Sequence, residues 1–149
     1  MKGEDEVEKF WTETESRLGE RVLVYSLGQH GGGYGDVRTG TWGLYYVSET
    51  GLHFQTFQSE NWFSSILRGR KRAQPTETEM EFHLPLSCIH NVGVARQTSW
   101  LRRIFAPEPP TIRADYSLPT GRDGVLEFSM DLKMKEFVET LKTQMLKSD

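Results

Sequence analysis

"VLEFSMDLKMKEFVETLKTQMLKSD", residues 125–149, changes its period in the middle. Up to Met130 the apolar residues alternate. Leu126, Phe128 and Met130 fall on one side, Glu127 and Ser129 on the other, as in a strand with one face turned inward. Beyond Asp131 the period becomes helical, and Met134, Phe137, Val138, Leu141 and Met145 form one apolar stripe of an α-helix. Asp131 stands where its side chain can cap the first turn, and lysines gather in the last turns, where the helix dipole is negative. The stretch predicts a strand that leads into an amphipathic helix. Such a helix must bury its stripe, and the residues before it decide against what.

Those residues read as strands. "TIRADYSL" sets Ile112, Ala114, Tyr116 and Leu118 against Arg113, Asp115 and Ser117, and "GRDG" makes the turn that follows. "TEMEFHLPL" sets Met80, Phe82 and Leu84 against Glu79, Glu81 and His83. "CIHNVGVA" is a further short strand. "TGTWGLYYV" and "GLHFQTF" form a hairpin across "SETG", with Gly51 expected to supply a positive φ. "RVLVYSL" is β-branched and aromatic enough for the first strand, and the glycines of "GQHGGGYGD" read as a mobile loop after it. In front, Val7, Phe10, Trp11 and Leu18 share one helical face, and Gly19 marks its end.

The expected fold is therefore α+β, mainly β. About seven antiparallel strands form a bent sheet or partly open barrel, capped by a C-terminal helix and preceded by an extra N-terminal helix. One domain over 1–149 is expected, with the first helix at 4–18, the barrel at 20–130 and the capping helix at 131–147. "GLYYVSETGLHFQTF" resembles the hairpin written "lyvTenglhF" in GRAM-type domains, and "FHLPLSCIHNVGVA" resembles their "ipLsdIksve" passage. "LEFSMDLKMKEFVETLKTQM" is similar to their last strand and closing helix. The likeness to the pleckstrin-homology-like superfold, in its GRAM-like or bacterial pleckstrin-homology form, covers Glu20 to Met145. It implies a binding or adaptor module. Two departures stand out. Phe137 occupies the place where pleckstrin-homology domains usually carry tryptophan, and "HGGGYGDVRTG" lacks the alternating basic residues of their phosphoinositide loop.

Composition narrows the function classes. The chain is 36% hydrophobic and 26% charged, which suits a globular protein with a core. No apolar run approaches the roughly 20 residues that span a bilayer. The N-terminus, "MKGEDEVEKF", is acidic where a secretory signal is basic and then apolar. With a lone cysteine, Cys88, this predicts a cytoplasmic protein, with peripheral membrane attachment as the alternative. A net charge of -3 argues against nucleic acid as the main partner.

No chemistry-bearing motif stands out, and the chain is expected not to be an enzyme and to hold no cofactor. "GQHGGGYG" leads into a strand, whereas phosphate loops lead into a helix N-terminus. His83, Cys88 and His90 lie close in sequence, but paired cysteines and HExxH are missing, so no metal is expected. Cys88, between Leu86 and Ile89, reads as a packing residue rather than a nucleophile.

Two surfaces compete for a partner. "RGRKR" places Arg68, Arg70, Lys71 and Arg72 in one loop, beside Trp62, Phe63, Ile66 and Leu67. In an up-and-down meander this loop and the glycine loop lie at one end, and Arg122 of "GRDG" joins them if the likeness holds. That rim suits an anionic membrane or simple solvation. "SWLRRIF" offers Trp100, Leu101, Arg102, Arg103, Ile104 and Phe105, the composition of a protein hot spot or of a segment folded onto the barrel. The reading favoured is a non-catalytic module that engages a protein partner. The alternatives are anionic lipid through residues 68–72, or a homo-oligomer built on the same apolar segments.

Overall fold

The computed structural model describes residues 2–56, 80–95, 110–130 and 134–147, with side chains from Glu8 onward. Helix α1 (Lys2–Leu18) leads into strands β1 (Val22–Gly32), β2 (Trp42–Ser48), β3 (Gly51–Gln55) and β4 (Glu81–Pro85). A short 3-10 turn (Leu86–Cys88) precedes β5 (Ile89–Ala95), β6 (Thr111–Ser117) and β7 (Asp123–Met130), and helix α2 (Met134–Lys147) follows. Every pairing is antiparallel, in the order β4-β3-β2-β1-β7-β6-β5. This is the α+β, mainly β arrangement that the alternating and helical periods predict.

The alternation works as read. Phe82 and Leu84, Ile112, Ala114 and Tyr116, and Leu126, Phe128 and Met130 are all buried in one cluster. That cluster also holds Ile89 and Val92 of β5, so residues of both edge strands meet in one core and the sheet must curve. Tyr34 shows the closure directly. Its ring lies 5.2 Å from Tyr116 of β6 and 5.4 Å from Phe82 of β4, and its hydroxyl donates to the His83 carbonyl at 2.8 Å. Helix α2 seats Phe137, Val138 and Leu141 in the same core, with Met134 and Met145 at its margin. Burying each such side chain stabilises the fold by roughly 1.5–3 kcal/mol. Asp131, the expected cap, lies outside the described residues.

Helix α1 covers the other face of the central strands. Phe10, Trp11 and Leu18 pack with Leu44, Tyr46, Tyr25 and Trp42. Trp11 sits 4.4 Å from Tyr25 and 5.4 Å from Tyr46, ring centre to ring centre. The helix stops at Gly19, whose amide donates to the Glu15 carbonyl. The Glu15 carboxylate then accepts from the Val22 amide at 2.8 Å and so fixes where β1 begins. Strand β2 is thus covered on both faces, which is why it reads as a nearly unbroken apolar run.

Two sequence expectations are corrected here. Gly28 to Gly32 belong to β1 rather than to a mobile loop. Gly28 serves close approach, since a Cβ there would meet the Ser129 carbonyl oxygen and the Tyr45 ring, both at 2.8 Å. With no side chain in the way, Tyr45 of β2 reaches across β1 and stacks on Phe128 of β7 at 4.3 Å. Gly51 does not adopt a positive φ either. It lies in β3, and the reason for a glycine there belongs to the site described next.

Candidate functional site

The described strands fix where the two expected surfaces emerge. Thr56 and Met80 close the end of the β3–β4 pair: the Thr56 amide donates to the Met80 carbonyl, and the Met80 amide donates to Thr56 Oγ1, both at 2.8 Å. Residues 57–79 leave from this base, and Arg68, Arg70, Lys71 and Arg72, with Trp62, Phe63, Ile66 and Leu67, lie outside the described residues. The register Gly32↔Glu127 puts the start of β7 beside the end of β1. Arg122, in the β6–β7 turn, and Arg38, in the β1–β2 connection, therefore share that end of the sheet, and both are exposed. The glycine-rich connection passes into a strand, β2, so no helix N-terminus stands behind it.

Trp100, Leu101, Arg102, Arg103, Ile104 and Phe105 also lie outside the described residues. They follow β5, at the opposite end of β6 from Arg122. Strand β5 itself is informative. Among the described residues it pairs with β6 alone, which leaves its other edge without a ladder. His90, Asn91, Val94 and Ala95 are exposed along it. Val94, 39% exposed, and Leu146 of α2 are the large apolar side chains that the described residues leave to solvent.

A third constellation has no counterpart in the sequence reading. The β3–β4 register pairs His53 with His83, and their rings stack at 4.6 Å with planes 16° apart. Tyr46 stacks on the other side of His53 at 4.7 Å. A Cβ on Gly51 would lie 2.4 Å from His83 Nε2 and 3.0 Å from His53 Nε2, so the glycine leaves room for the imidazole pair. His83 is exposed, while His53 is buried beneath it. Burial holds the His53 imidazole down at about 4, helped by repulsion from His83 and Arg17 and opposed by Glu20. Glu20 lies beside this stack and accepts from the Thr50 amide at 3.2 Å and from Thr50 Oγ1 at 2.8–2.9 Å. Burial alone would raise its carboxyl, but hydrogen bonds from Ser48 and Thr50 outweigh that and hold it below the ordinary glutamate value.

Ser48 Oγ is fully buried and stands 2.8 Å from His53 Nε2 and 3.3 Å from the Gly51 carbonyl oxygen. Ser48, His53, Glu20 and Thr50 together brace the β2–β3 turn. A groove of about 490 Å³ opens over them, walled by Arg17, Glu20, Thr50, Glu81 and His83.

Cys88 is a half-buried free thiol in the 3-10 turn and packs against the core, while His90 is exposed on β5. Among the described residues no group of three or more His, Cys, Asp or Glu side chains is placed to hold a metal ion. No described helix is long and apolar enough to cross a membrane. No protein-family model and no curated protein sequence matches this chain.

Proposed function

We propose that this protein is a non-catalytic binding or adaptor module of pleckstrin-homology or GRAM-like type, which engages a protein partner along the β5 edge and the adjoining Trp100–Phe105 segment. The observation that supports the reading is the outer edge of β5, which has no strand partner among the described residues. A strand with a free row of amides and carbonyls accepts an extended segment by adding it to the sheet. Main-chain hydrogen bonds then supply affinity, and side chains such as Val94 supply selectivity. The seven-stranded antiparallel sheet with a C-terminal helix packed on it is compatible with the superfold that the sequence resembles, although one superfold hosts unrelated functions.

A second reading, peripheral docking on anionic lipid, draws on the exposed Arg38 and Arg122 at the end of the sheet from which residues 57–79 emerge. A third makes the same apolar segments an interface between copies of this chain. Peptide selection against the purified protein, together with light scattering, separates the first reading from the third. The protein-partner reading expects a monomer, and extended peptides whose binding is lost in Val94→Lys. A stable dimer that Trp100→Ala dissociates would favour the oligomer instead.

A further inference from the structure

The groove over the imidazole stack has a chemistry of its own, apart from the β5 edge. Two carboxylates, Glu20 and Glu81, line it against one guanidinium, that of Arg17. His53 titrates far below neutrality and adds no positive charge at pH 7. The C-terminal end of α1, from Arg17 to Leu18, forms one wall, and the carbonyls at a helix C-terminus carry partial negative charge. The electrostatics of the groove therefore favour a cation.

Its shape narrows the cation further. His83 presents one ring face to His53, and because the residue is exposed its other face is open to solvent. A planar guanidinium stacks on such a ring and pairs with a carboxylate in its own plane, whereas an ammonium is a compact point charge. Glu81 sits two residues before His83 on the same strand face. The chain already samples this chemistry: Arg17 lies 3.8 Å from Glu81 and hydrogen-bonds the Tyr46 hydroxyl. That ion pair is long, and its two side chains are 55% and 60% exposed, so it is weak and easily exchanged.

We propose that the groove between the end of α1 and strands β3 and β4 binds an arginine side chain of a partner protein, stacked on His83, with Glu81 and Glu20 as counter-charges and Arg17 as the resident competitor. The binding site is selective for the guanidinium charge. A partner arginine enters as Arg17 swings out, and the fold of the sheet does not change.

The test uses the whole chain, ¹⁵N-labelled, titrated with a blocked Gly-Arg-Gly tripeptide and with its neutral isostere Gly-citrulline-Gly. Saturable shifts are expected at Thr50 and His83 with a Kd of roughly 1–20 mM, the order of an ion pair or two plus a stacking contact. The β5 amides should not move. Arg17→Ala should tighten binding by about three- to tenfold by removing the competitor, and Glu81→Gln should weaken it by about tenfold. Arg17, Thr50, Glu81 and His83 are all surface positions, so the fold survives both substitutions. Equal shifts with the citrulline peptide, or no saturable shift in either wild type or Arg17→Ala, would overturn the proposal. Neither result bears on the β5 edge.

Discussion

Lowering the pH from 7 to 4 should weaken this fold through His53 in particular, and the size of the effect follows from its surroundings. In the unfolded chain the imidazole titrates near 6.5; in the folded chain burial and the adjacent His83 hold it at about 4. Between those values the unfolded chain binds more protons, so acidification favours unfolding. Stability that is complete above pH 6.5 is lost as pH falls toward 4, and below that the loss from this group is finished. The gap, at about 1.4 kcal/mol for each pH unit, amounts to about 3 kcal/mol; solvent reaching the stack past exposed His83 reduces this to about 2–3 kcal/mol. His30 adds to the same window, because burial also lowers its imidazole, so wild type alone does not isolate the effect. The assay is urea unfolding of wild type and His53→Gln at half-unit steps from pH 7.5 to 3.5. The glutamine keeps a donor for Ser48 but carries no titratable proton. The difference between the two proteins should shrink by about 2–3 kcal/mol as pH drops from 6.5 to 4. Two parallel stability curves would refute the reasoning, since the buried stack would then place no penalty on a charged His53.

Three further outcomes follow from the packing. Phe137→Ala empties a fully buried position in the core that α2 shares with the sheet and should cost about 3–5 kcal/mol, read by thermal or urea unfolding. Gly28→Ala should cost about 2–3 kcal/mol, because its new methyl meets a backbone carbonyl and the buried Tyr45 ring; Gly51→Ala should cost only about 1 kcal/mol, because exposed His83 can swing aside. Equal costs for the two would show that His83 is held in place more firmly than its exposure suggests. The combined change of Arg68, Arg70, Lys71 and Arg72 to Gln should leave the melting temperature nearly unchanged, and wild type and variant alike should fail to attach to anionic vesicles. Loss of vesicle binding in that variant would move anionic lipid ahead of a protein partner.

The parts of the fold that were legible in the sequence are those with one wet face. β4, β6 and β7 alternate because Phe82, Ile112 and Leu126 meet the core while Glu81, Arg113 and Glu127 meet water or its margin, and the α2 stripe repeats at helical spacing for the same reason. Glycine was harder to read. By composition a run of glycines means mobility, yet Gly28 is demanded by a ring crossing the strand and Gly51 by two imidazoles, and neither neighbour is close in sequence. The histidine stack was illegible for a related reason. His53 and His83 meet only through the β3–β4 register, which is set across the whole interval from Gln55 to Glu81. Without that register His83 reads as one more exposed residue on the polar side of a strand, as indeed it is, and nothing marks the buried partner beneath it. The proposed function was least legible, because a strand edge that lacks a partner among the described residues leaves no residue pattern that distinguishes it from a paired one.

Residue-resolved amide exchange on β5 tests the central claim most directly. A peptide selected for binding should slow exchange at alternate amides from Ile89 to Ala95, those pointing away from β6, and Val94→Lys should abolish both the binding and the protection. Protection confined to α1, to the His83 groove or to the Arg122 end, with β5 amides exchanging at the free rate, would contradict it.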